Sequence, residues 1–517
     1  MPTFYDSSLC RGVDLLTLLQ GRTFSLFGLM EASLGPLSTN VLVWLIYGFA
    51  GYQLMKKWTE IQGYTEQVGW LTAFTWVSGS FFSLRFFSGE VGFAGLLLLP
   101  GIFLWTSLVR SPGFYIGVFL VVSELILEGS FQVLQLMIYS ILFFILFDLI
   151  PLKTVKETWS FVRSRPQPFG FGFLGLICLL IFKLYPWMQM TSDQMPMLES
   201  VQLSWQQVLY SFFSPLQSAE ALKNLAPQIA HPYLKEFALS FVEIGCFFGA
   251  VKLILVFLAL RDHSQWRNFL FFFICVFWTA WGSFGELNFW SFHQNLPIQF
   301  LHFQTRFLIV GYFVFLCLFA MGLSRVRNKS VLLLFTAFFL FEGAVTWVWS
   351  AKNLKNGVQV LLAPHQRKDF SELFQKQDAT VKEMDVCFTS WSPVIQKSDD
   401  QKEKQKPVVS ILEKSVQGQV SLESETVAGE PRLSVQVDRA ANIELNWNYA
   451  LGWLADGAEV YPQKNGRIGL FFKDAFQGVV QLRYQPSYRL WIYFIWILGM
   501  IFVGRSLYLF STLKNEK

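Results

Sequence analysis

Charged residues are scarce in this sequence: Asp, Glu, Lys and Arg together make up only 15% of its 517 residues. A soluble globular protein carries about 25% charged residues. The sequence also lacks a basic face or stripe of the kind that binds nucleic acid, so we expect no nucleic-acid partner. Hydrophobic residues, by contrast, make up 53% of the chain. This composition argues against an ordinary soluble enzyme and predicts a polytopic membrane protein surrounded by membrane lipids.

Cysteine motifs are missing as well. None of the six cysteines has the spacing of a zinc site or of a redox CxxC pair, so the sequence identifies no metal-ligating residues. Four of them lie inside apolar runs, where we expect them to pack as small hydrophobic residues. The topology described below leaves Cys10 and Cys387 on one aqueous side, so a disulfide between them stays open. The first 38 residues contain no basic region followed by an apolar core, and we expect no signal peptide.

Apolar runs long enough to cross a bilayer recur along the chain. We predict about eleven membrane-spanning helices, ten of them between residues 40 and 350 and the last after residue 489. The predicted runs are Asn40–Met55, Val68–Phe86, Val91–Val109, Gly113–Leu127, Val133–Ile150, Phe169–Pro186, Phe237–Leu260, Phe269–Phe284, Phe307–Leu323, Val331–Ser350 and Leu490–Phe510.

The basic residues orient these helices, since Lys and Arg are enriched in cytoplasmic loops. An extracytoplasmic N-terminus puts every basic short loop in the cytoplasm, and the opposite short loops are poor in Lys and Arg. The cytoplasmic cations are then Lys56, Lys57, Arg110, Lys153, Lys156, Arg163, Arg165, Arg261, Arg267, Arg325, Arg327, Lys329, Lys514 and Lys517. We predict a multi-pass protein of the cytoplasmic (inner) membrane with its N-terminus outside and its C-terminus inside.

This topology divides the chain into four parts. They are an extracytoplasmic or interfacial N-terminal segment (1–39), a transmembrane domain of ten helices (40–350) with an outer loop (187–236), an extracytoplasmic β-rich domain (351–488), and the last helix with a short cytoplasmic tail (489–517). The β-rich part alternates apolar and polar residues in LSVQV from Leu433 and GVVQLRY from Gly478. Asp456-Gly457 and Asn465-Gly466 supply turn residues. We predict a small β-sandwich inserted before the last helix.

The stretch NYALGWLADGAEVYPQKNGRIGLFFKDAFQGVVQLRYQPSYRL from Asn448 carries the most specific pattern in the chain. Its distinctive residues are Gly452-Trp453, Asp456-Gly457, Asn465-Gly466, Gly478, Tyr484 and Pro486. This pattern, placed just before a predicted helix, resembles the YfhO-like branch of the GT-C superfamily, which comprises membrane glycosyltransferases that use polyprenyl-phosphate sugars.

Three further stretches resemble segments of the same family. LPIQFLHFQTRF is similar to a helix start with an Arg-Phe pair, which falls on Arg306-Phe307. The segment from Ser78 resembles one in which a loop Gly-His precedes a helix, although Gly89-Glu90 occupies that place here. The stretch before Gly35-Pro36 resembles the first outer loop, with phenylalanines at the family's Pro and Trp positions. The resemblance thus implies a GT-C-like helical domain.

The resemblance also implies a reaction. A sugar would pass, with inversion, from a polyprenyl-phosphate donor to a cell-envelope glycan or glycolipid acceptor on the outer face of the membrane. In this superfamily an acid of the first outer loop takes the proton of the acceptor hydroxyl. This makes Asp6 and Asp14 the candidate catalytic residues. No cofactor is predicted, and a requirement for a divalent metal stays open.

Two cations, Arg306 and Lys183, are expected at the outer interface, where they can bind the donor phosphate. Glu90, His293 and His302 are candidates for substrate binding, the histidines because imidazole exchanges protons near neutral pH. Arg306, Glu90 and the two histidines each have a structural alternative. Arg306 would then merely mark the interface, Glu90 would pair with a nearby arginine, and the histidines would form hydrogen bonds in an aromatic loop.

Four glutamates lie within or at the ends of predicted helices. Glu124 and Glu128 are four residues apart, on one helical face near the outer boundary, whereas Glu243 and Glu342 lie deeper in their helices. A carboxylate inside the membrane is costly enough that its presence ordinarily indicates pairing or function.

Two other functions stay open. An inactive relative would keep the fold as an envelope-assembly protein, which the altered first-loop pattern and the lack of the family's usual first helix favour. A transporter of lipid-linked sugars would need polar residues along several helices, whereas here they cluster at the predicted outer boundary. Whether the chain is an enzyme is therefore left to experiment.

Overall fold

The protein is described by a computed structural model over residues 5–6, 13–14, 24–88, 91–188, 247–281, 307–366, 409–411, 418–425, 431–448, 453–463, 467–486 and 488–515. This part of the chain is mostly helical, with a small strand-rich region ahead of the last helix. The α-helices are α1 (Leu26–Leu34), α2 (Pro36–Ile61), α3 (Glu66–Val77), α4 (Ser80–Ser88), α5 (Pro100–Leu108), α6 (Pro112–Leu127), α7 (Phe131–Leu146), α8 (Leu152–Ser164), α9 (Pro166–Met188), α10 (Ala250–Ala259), α11 (Trp266–Trp281), α12 (Leu308–Ser324), α13 (Lys329–Gln366) and α14 (Arg489–Asn515). Two 3-10 helices cover Val91–Leu98 and His263–Gln265.

Apolar helices dominate, as the composition predicts. Among the described residues, four stretches have the length and mean hydropathy of a membrane span: Val91–Leu108, Pro166–Pro186, Lys329–Ala351 and Leu490–Leu513. Four shorter apolar helices accompany them at Pro112–Leu127, Phe131–Leu146, Trp266–Cys275 and Leu308–Ser324. These helices are consistent with a helical membrane protein.

Proline and glycine residues mark where several helices begin and where one predicted helix is divided. Pro36, Pro100 and Pro112 lie in the first turn of α2, α5 and α6, where no intrahelical N–H bond is lost. The predicted run Val68–Phe86 is two helices rather than one, because α3 ends before Ser78 and α4 starts after Gly79. A methyl group at Gly79 would lie 3.1 Å from the Tyr312 hydroxyl of α12, so the glycine lets α12 approach the break.

The last helix, α14, packs along α9 in the opposite direction. Tyr185 near the end of α9 contacts Trp491 near the start of α14, with ring centroids 4.4 Å apart. Ser506 near the end of α14 donates a hydrogen bond to the Pro168 carbonyl at the start of α9, 2.6 Å away. A methyl group at Gly175 would collide with the α14 main chain, so this small residue permits close helix packing.

Ion pairs join several of the basic loops at one end of the helices. Arg267 pairs with Asp148 (2.6 Å) and so links the start of α11 to the α7–α8 connection. Arg325, after α12, lies 3.8 Å from Asp262 between α10 and α11. The start of α9 and the end of α14 also meet, with the Phe169 ring 5.0 Å from that of Phe510. We call this the basic end, and the other end, where α6 stops and α7 starts, the opposite end.

The strand-rich region consists of two four-stranded antiparallel sheets. The described strands of the whole chain are β1 (Tyr5–Asp6), β2 (Val13–Asp14), β3 (Val409–Ile411), β4 (Gly418–Glu425), β5 (Pro431–Val437), β6 (Ala441–Asn448), β7 (Trp453–Ala455), β8 (Glu459–Pro462), β9 (Arg467–Phe472) and β10 (Phe476–Tyr484). The two four-stranded sheets have the orders β4-β5-β10-β7 and β3-β6-β9-β8, whereas β1 and β2 form a separate two-stranded sheet. Alternate residues of both sheets, such as Val435 and Leu470, belong to one buried apolar cluster, as expected for facing sheets. The same cluster includes Ile126 of α6 and Phe182 of α9, so it continues into the helices.

Candidate functional site

A buried polar cluster lies at the opposite end of the helices, and four helices and the α6–α7 connection contribute to it. Its members are the main chain at the start of α1, Tyr47 of α2, Glu124 and Glu128 at the end of α6, Ser130 before α7, and Lys183 of α9. We call it the Glu–Lys cluster. It is held together by contacts between residues far apart in the sequence.

Glu128 accepts hydrogen bonds at both carboxylate oxygens. The Tyr47 hydroxyl donates to Oε1 at 3.0 Å, and the Ser130 hydroxyl donates to Oε2 at 3.2 Å. Gly129, with φ at +74°, makes the turn that brings Ser130 back to this carboxylate. Only 4% of Glu128 is exposed, so these donors replace the water that a surface carboxylate would have.

Glu124 holds the start of α1. Its Oε1 accepts a hydrogen bond from the Phe27 amide at 3.2 Å, while the Ser25 hydroxyl accepts one from the Gly28 amide at 2.9 Å. These bonds satisfy amides that have no partner within the helix, and a negative charge at a helix N-terminus is favourable. Phe24 adds an apolar contact, because its ring lies 5.2 Å from that of Phe182 on α9.

Lys183 belongs to α9, and its side chain lies near the carboxylates of Glu124 and Glu128. It is 5% exposed, and both Glu128 and Glu124 attract its ammonium group. The sequence predicts this lysine at the outer interface as a phosphate ligand. The structure buries it beside two acids, which gives it a structural role, and phosphate binding stays a prediction.

Arg85 is a second buried cation at this end of the helices. Its guanidinium group lies 3.7 Å from the Phe81 ring centroid and 4.8 Å from that of Phe93. Gly92 borders the Glu–Lys cluster, since a methyl group there would lie 3.7 Å from the Ser130 hydroxyl. The start of the 3-10 helix Val91–Leu98 therefore runs between Arg85 and the cluster.

The other predicted site residues are only partly described. Asp6 and Asp14 lie in β1 and β2, which pair antiparallel so that Asp6 is opposite Val13 and Tyr5 opposite Asp14. The two candidate acids are thus on neighbouring strands.

Glu90, His293, His302, Arg306 and Glu243 lie outside the described residues. The predicted roles of the first four therefore stay predictions.

Two features of this site were not predicted from the sequence, and only one of them has a signal in the sequence. Tyr47 and Glu128 are 81 positions apart, and the sequence contains no signal that joins them. Arg85, within an apolar run, does carry a signal, because a cation among phenylalanines must find stabilising contacts. Over the described part of the chain, no three His, Cys, Asp or Glu side chains come together as a metal site requires.

Comparisons with family models, with curated proteins and with solved structures return no match to this chain. Functional assignment therefore depends on its own residues and contacts. Chemically, the Glu–Lys cluster offers a buried ammonium group, two carboxylates and two hydroxyl groups. Such a set can bind a polar headgroup, or can lock the helices together.

Proposed function

We propose that this chain is a GT-C-like glycosyltransferase of the YfhO-like type, with about eleven membrane-spanning helices in the cytoplasmic membrane. It would transfer a sugar, with inversion, from a polyprenyl-phosphate donor to an envelope glycan or glycolipid on the outer face. The observation that carries this proposal is the Glu–Lys cluster. It lies at the end of the helices away from the basic loops and adjoins the apolar cluster of the strand-rich region.

The proposed step follows the usual chemistry of an inverting transfer. The acceptor hydroxyl oxygen forms a bond to the anomeric carbon while the bond from that carbon to the donor phosphate oxygen breaks. Asp6 or Asp14 takes the hydroxyl proton, and polyprenyl phosphate leaves with the bonding electrons. Lys183 and Arg306 would stabilise the negative charge on that phosphate. Glu90, His293 and His302 would orient the sugar or the acceptor.

The test is turnover of synthetic polyprenyl-phosphate sugars by the purified full chain in proteoliposomes, followed as release of polyprenyl phosphate. We expect Asp6→Asn or Asp14→Asn to slow turnover by about 100-fold or more, since general bases contribute that much. Arg306→Ala should also slow it. Arg110→Gln, an exposed cation at the basic end, is the control and should leave the rate unchanged. Wild-type turnover rates in all three test variants would rule out the proposed catalytic and phosphate-binding roles of these residues.

A second candidate is a non-catalytic envelope-assembly protein with the same architecture. It is favoured by the burial of Lys183 against two carboxylates, as in a structural ion cluster. Lys183→Arg and Lys183→Met separate the two functions. A catalytic role predicts that Arg preserves turnover and Met lowers it in protein that remains folded. If the wild type turns over no donor and Lys183→Met only lowers the melting temperature, the second candidate is correct.

A further inference from the structure

Helix α8 exposes two large apolar side chains and three cations. Leu152, Lys156, Trp159 and Arg163 recur at intervals of four, three and four residues, which puts them on one helical face. Leu152 is 61% exposed and Trp159 is 68% exposed. Lys153 beside them is also exposed. A helix that combines exposed Trp and Leu with Lys and Arg is typical of an interfacial membrane helix.

The other face of α8 is held against the helices, which fixes the direction of the exposed face. Thr158 accepts a hydrogen bond from the Trp105 indole nitrogen of α5 at 2.8 Å. The Phe161 ring stacks on Tyr115 of α6, with centroids 5.3 Å apart and planes 16° from parallel. Because α5 and α6 hold this face, α8 has little freedom to turn its apolar side chains inward.

Short connections keep α8 at the ends of the apolar helices. Residues 147–151 join it to α7, and Arg165 alone separates it from α9, which starts an apolar span at Pro166. Helix α8 is therefore at the depth where the apolar part of a bilayer gives way to its headgroups.

Two of the cations have no carboxylate partner among the residues that the structure describes. Lys153 lies 3.7 Å from Glu157 on the same helix, whereas Lys156 and Arg163 take part in no ion pair there. Their positive charges are open to an anion that approaches from the exposed side. A phospholipid headgroup supplies such an anion at this depth, and its acyl chains would meet Leu152 and Trp159.

We propose that the exposed face of α8 binds anionic phospholipid headgroups. Lys156 and Arg163 bind the phosphate-bearing headgroup, while Leu152 and Trp159 enter the boundary with the acyl chains. The site is at the basic end, away from the Glu–Lys cluster, and it does not depend on glycosyl transfer. It would tie the α7–α9 connection to the membrane surface.

The experiment measures lipid retention by the purified full chain in detergent that contains equal amounts of phosphatidylglycerol and phosphatidylcholine. Native mass spectrometry counts the bound lipids. We expect the wild type to retain phosphatidylglycerol preferentially. The Lys156→Gln/Arg163→Gln variant should lose about 25-fold in affinity, since each cation near an anionic surface contributes about a five-fold factor.

Two controls make the result specific. Lys57→Gln/Arg110→Gln removes two other exposed cations of the same end and should retain the lipid, whereas Lys156→Arg/Arg163→Lys keeps the charges and should also retain it. Equal retention by the Gln double variant and the wild type would overturn the proposal, as would an equal loss in the Lys57/Arg110 control. Displacement of the lipid by millimolar inorganic phosphate would show instead that α8 binds a soluble anion.

Discussion

Lys252 on α10 and Glu342 on α13 form an ion pair among the apolar helices, with only 5% and 13% of their side chains exposed. The ammonium group also lies 5.5 Å from the ring centroids of Phe247 and Phe339. The sequence singled out Glu342 as a costly acid that must be paired or functional, and the structure supplies the partner. Either charge alone would be expensive in these surroundings, so the pair fixes α10 against α13.

Removal of one partner of this ion pair should therefore destabilise the protein far more than replacement of both. We expect Glu342→Gln to destabilise the protein by about 3–5 kcal/mol, because Lys252 would remain buried without a carboxylate. The measurement is the apparent melting temperature of the purified protein in detergent. Glu60→Gln is the matched control, since Glu60 pairs with Lys57 at an exposed site (3.1 Å) where a pair contributes at most about 1 kcal/mol.

The double variant Lys252→Met/Glu342→Leu completes this test. It replaces the pair with apolar side chains, and we expect it to recover most of the lost stability. A melting temperature of Glu342→Gln equal to that of the wild type would show that burial of Lys252 does not require this carboxylate.

Close packing between α10 and α12 depends on Gly322. Any side chain at this position would overlap the Leu255 carbonyl group. We expect Gly322→Ala to cost about 1–3 kcal/mol, because the two helices must move apart. The melting temperature should fall accordingly. Gly117→Ala on α6, where nothing lies within 4 Å of the added methyl group, is the control and should melt at or slightly above the wild-type temperature. An equal fall in the melting temperatures of both variants would contradict the explanation that Gly322 permits close helix packing.

Local sequence patterns predict turns and strands better than they predict which strands pair with each other. The Asp456-Gly457 pair predicts a turn, and the structure has one there, with Gly457 at φ +87°. The strands on either side, β7 and β8, nevertheless belong to different sheets, because β7 pairs with β10 and β8 with β9. Turn residues report a local backbone preference, whereas strand pairing is decided by which apolar faces can be buried together.

The same limit applies to the candidate site. Spacing puts Glu124 and Glu128 on one helical face, and the structure confirms that both are in the Glu–Lys cluster. Apart from Ser130, which follows α6 directly, the groups that contact these glutamates belong to α1, α2 and α9. The periodicity of α6 contains no information about them. Hydropathy also predicts one span where Ser78 and Gly79 divide two helices, since a window average does not detect the close approach of Tyr312.

The Tyr47–Glu128 hydrogen bond provides a direct test of the cluster. Tyr47→Phe removes the hydroxyl group and leaves a buried carboxylate with one fewer donor. We expect a loss of about 1.5–3 kcal/mol, since hydrogen bonds to charged groups contribute that much. Tyr52→Phe on the same helix is the control and should change the melting temperature little. A loss no larger than that of the control would mean that Tyr47 does not stabilise Glu128.

Backbone conformation at Gly457 provides the last test, in the strand-rich region. Its φ of +87° is unfavourable for residues with a Cβ atom, and the added methyl group of Gly457→Ala would lie 3.0 Å from the Phe476 ring. We expect a cost of about 1–2 kcal/mol and faster cleavage of this region by a protease in the intact protein. Gly457→Asn should be cleaved more slowly than Gly457→Ala, because asparagine tolerates a positive φ. Gly478→Ala in β10 meets only ordinary contacts at 3.5 Å and is the control. Equal protease resistance of Gly457→Ala and Gly478→Ala would rule out strain at this turn as a determinant of the region's stability.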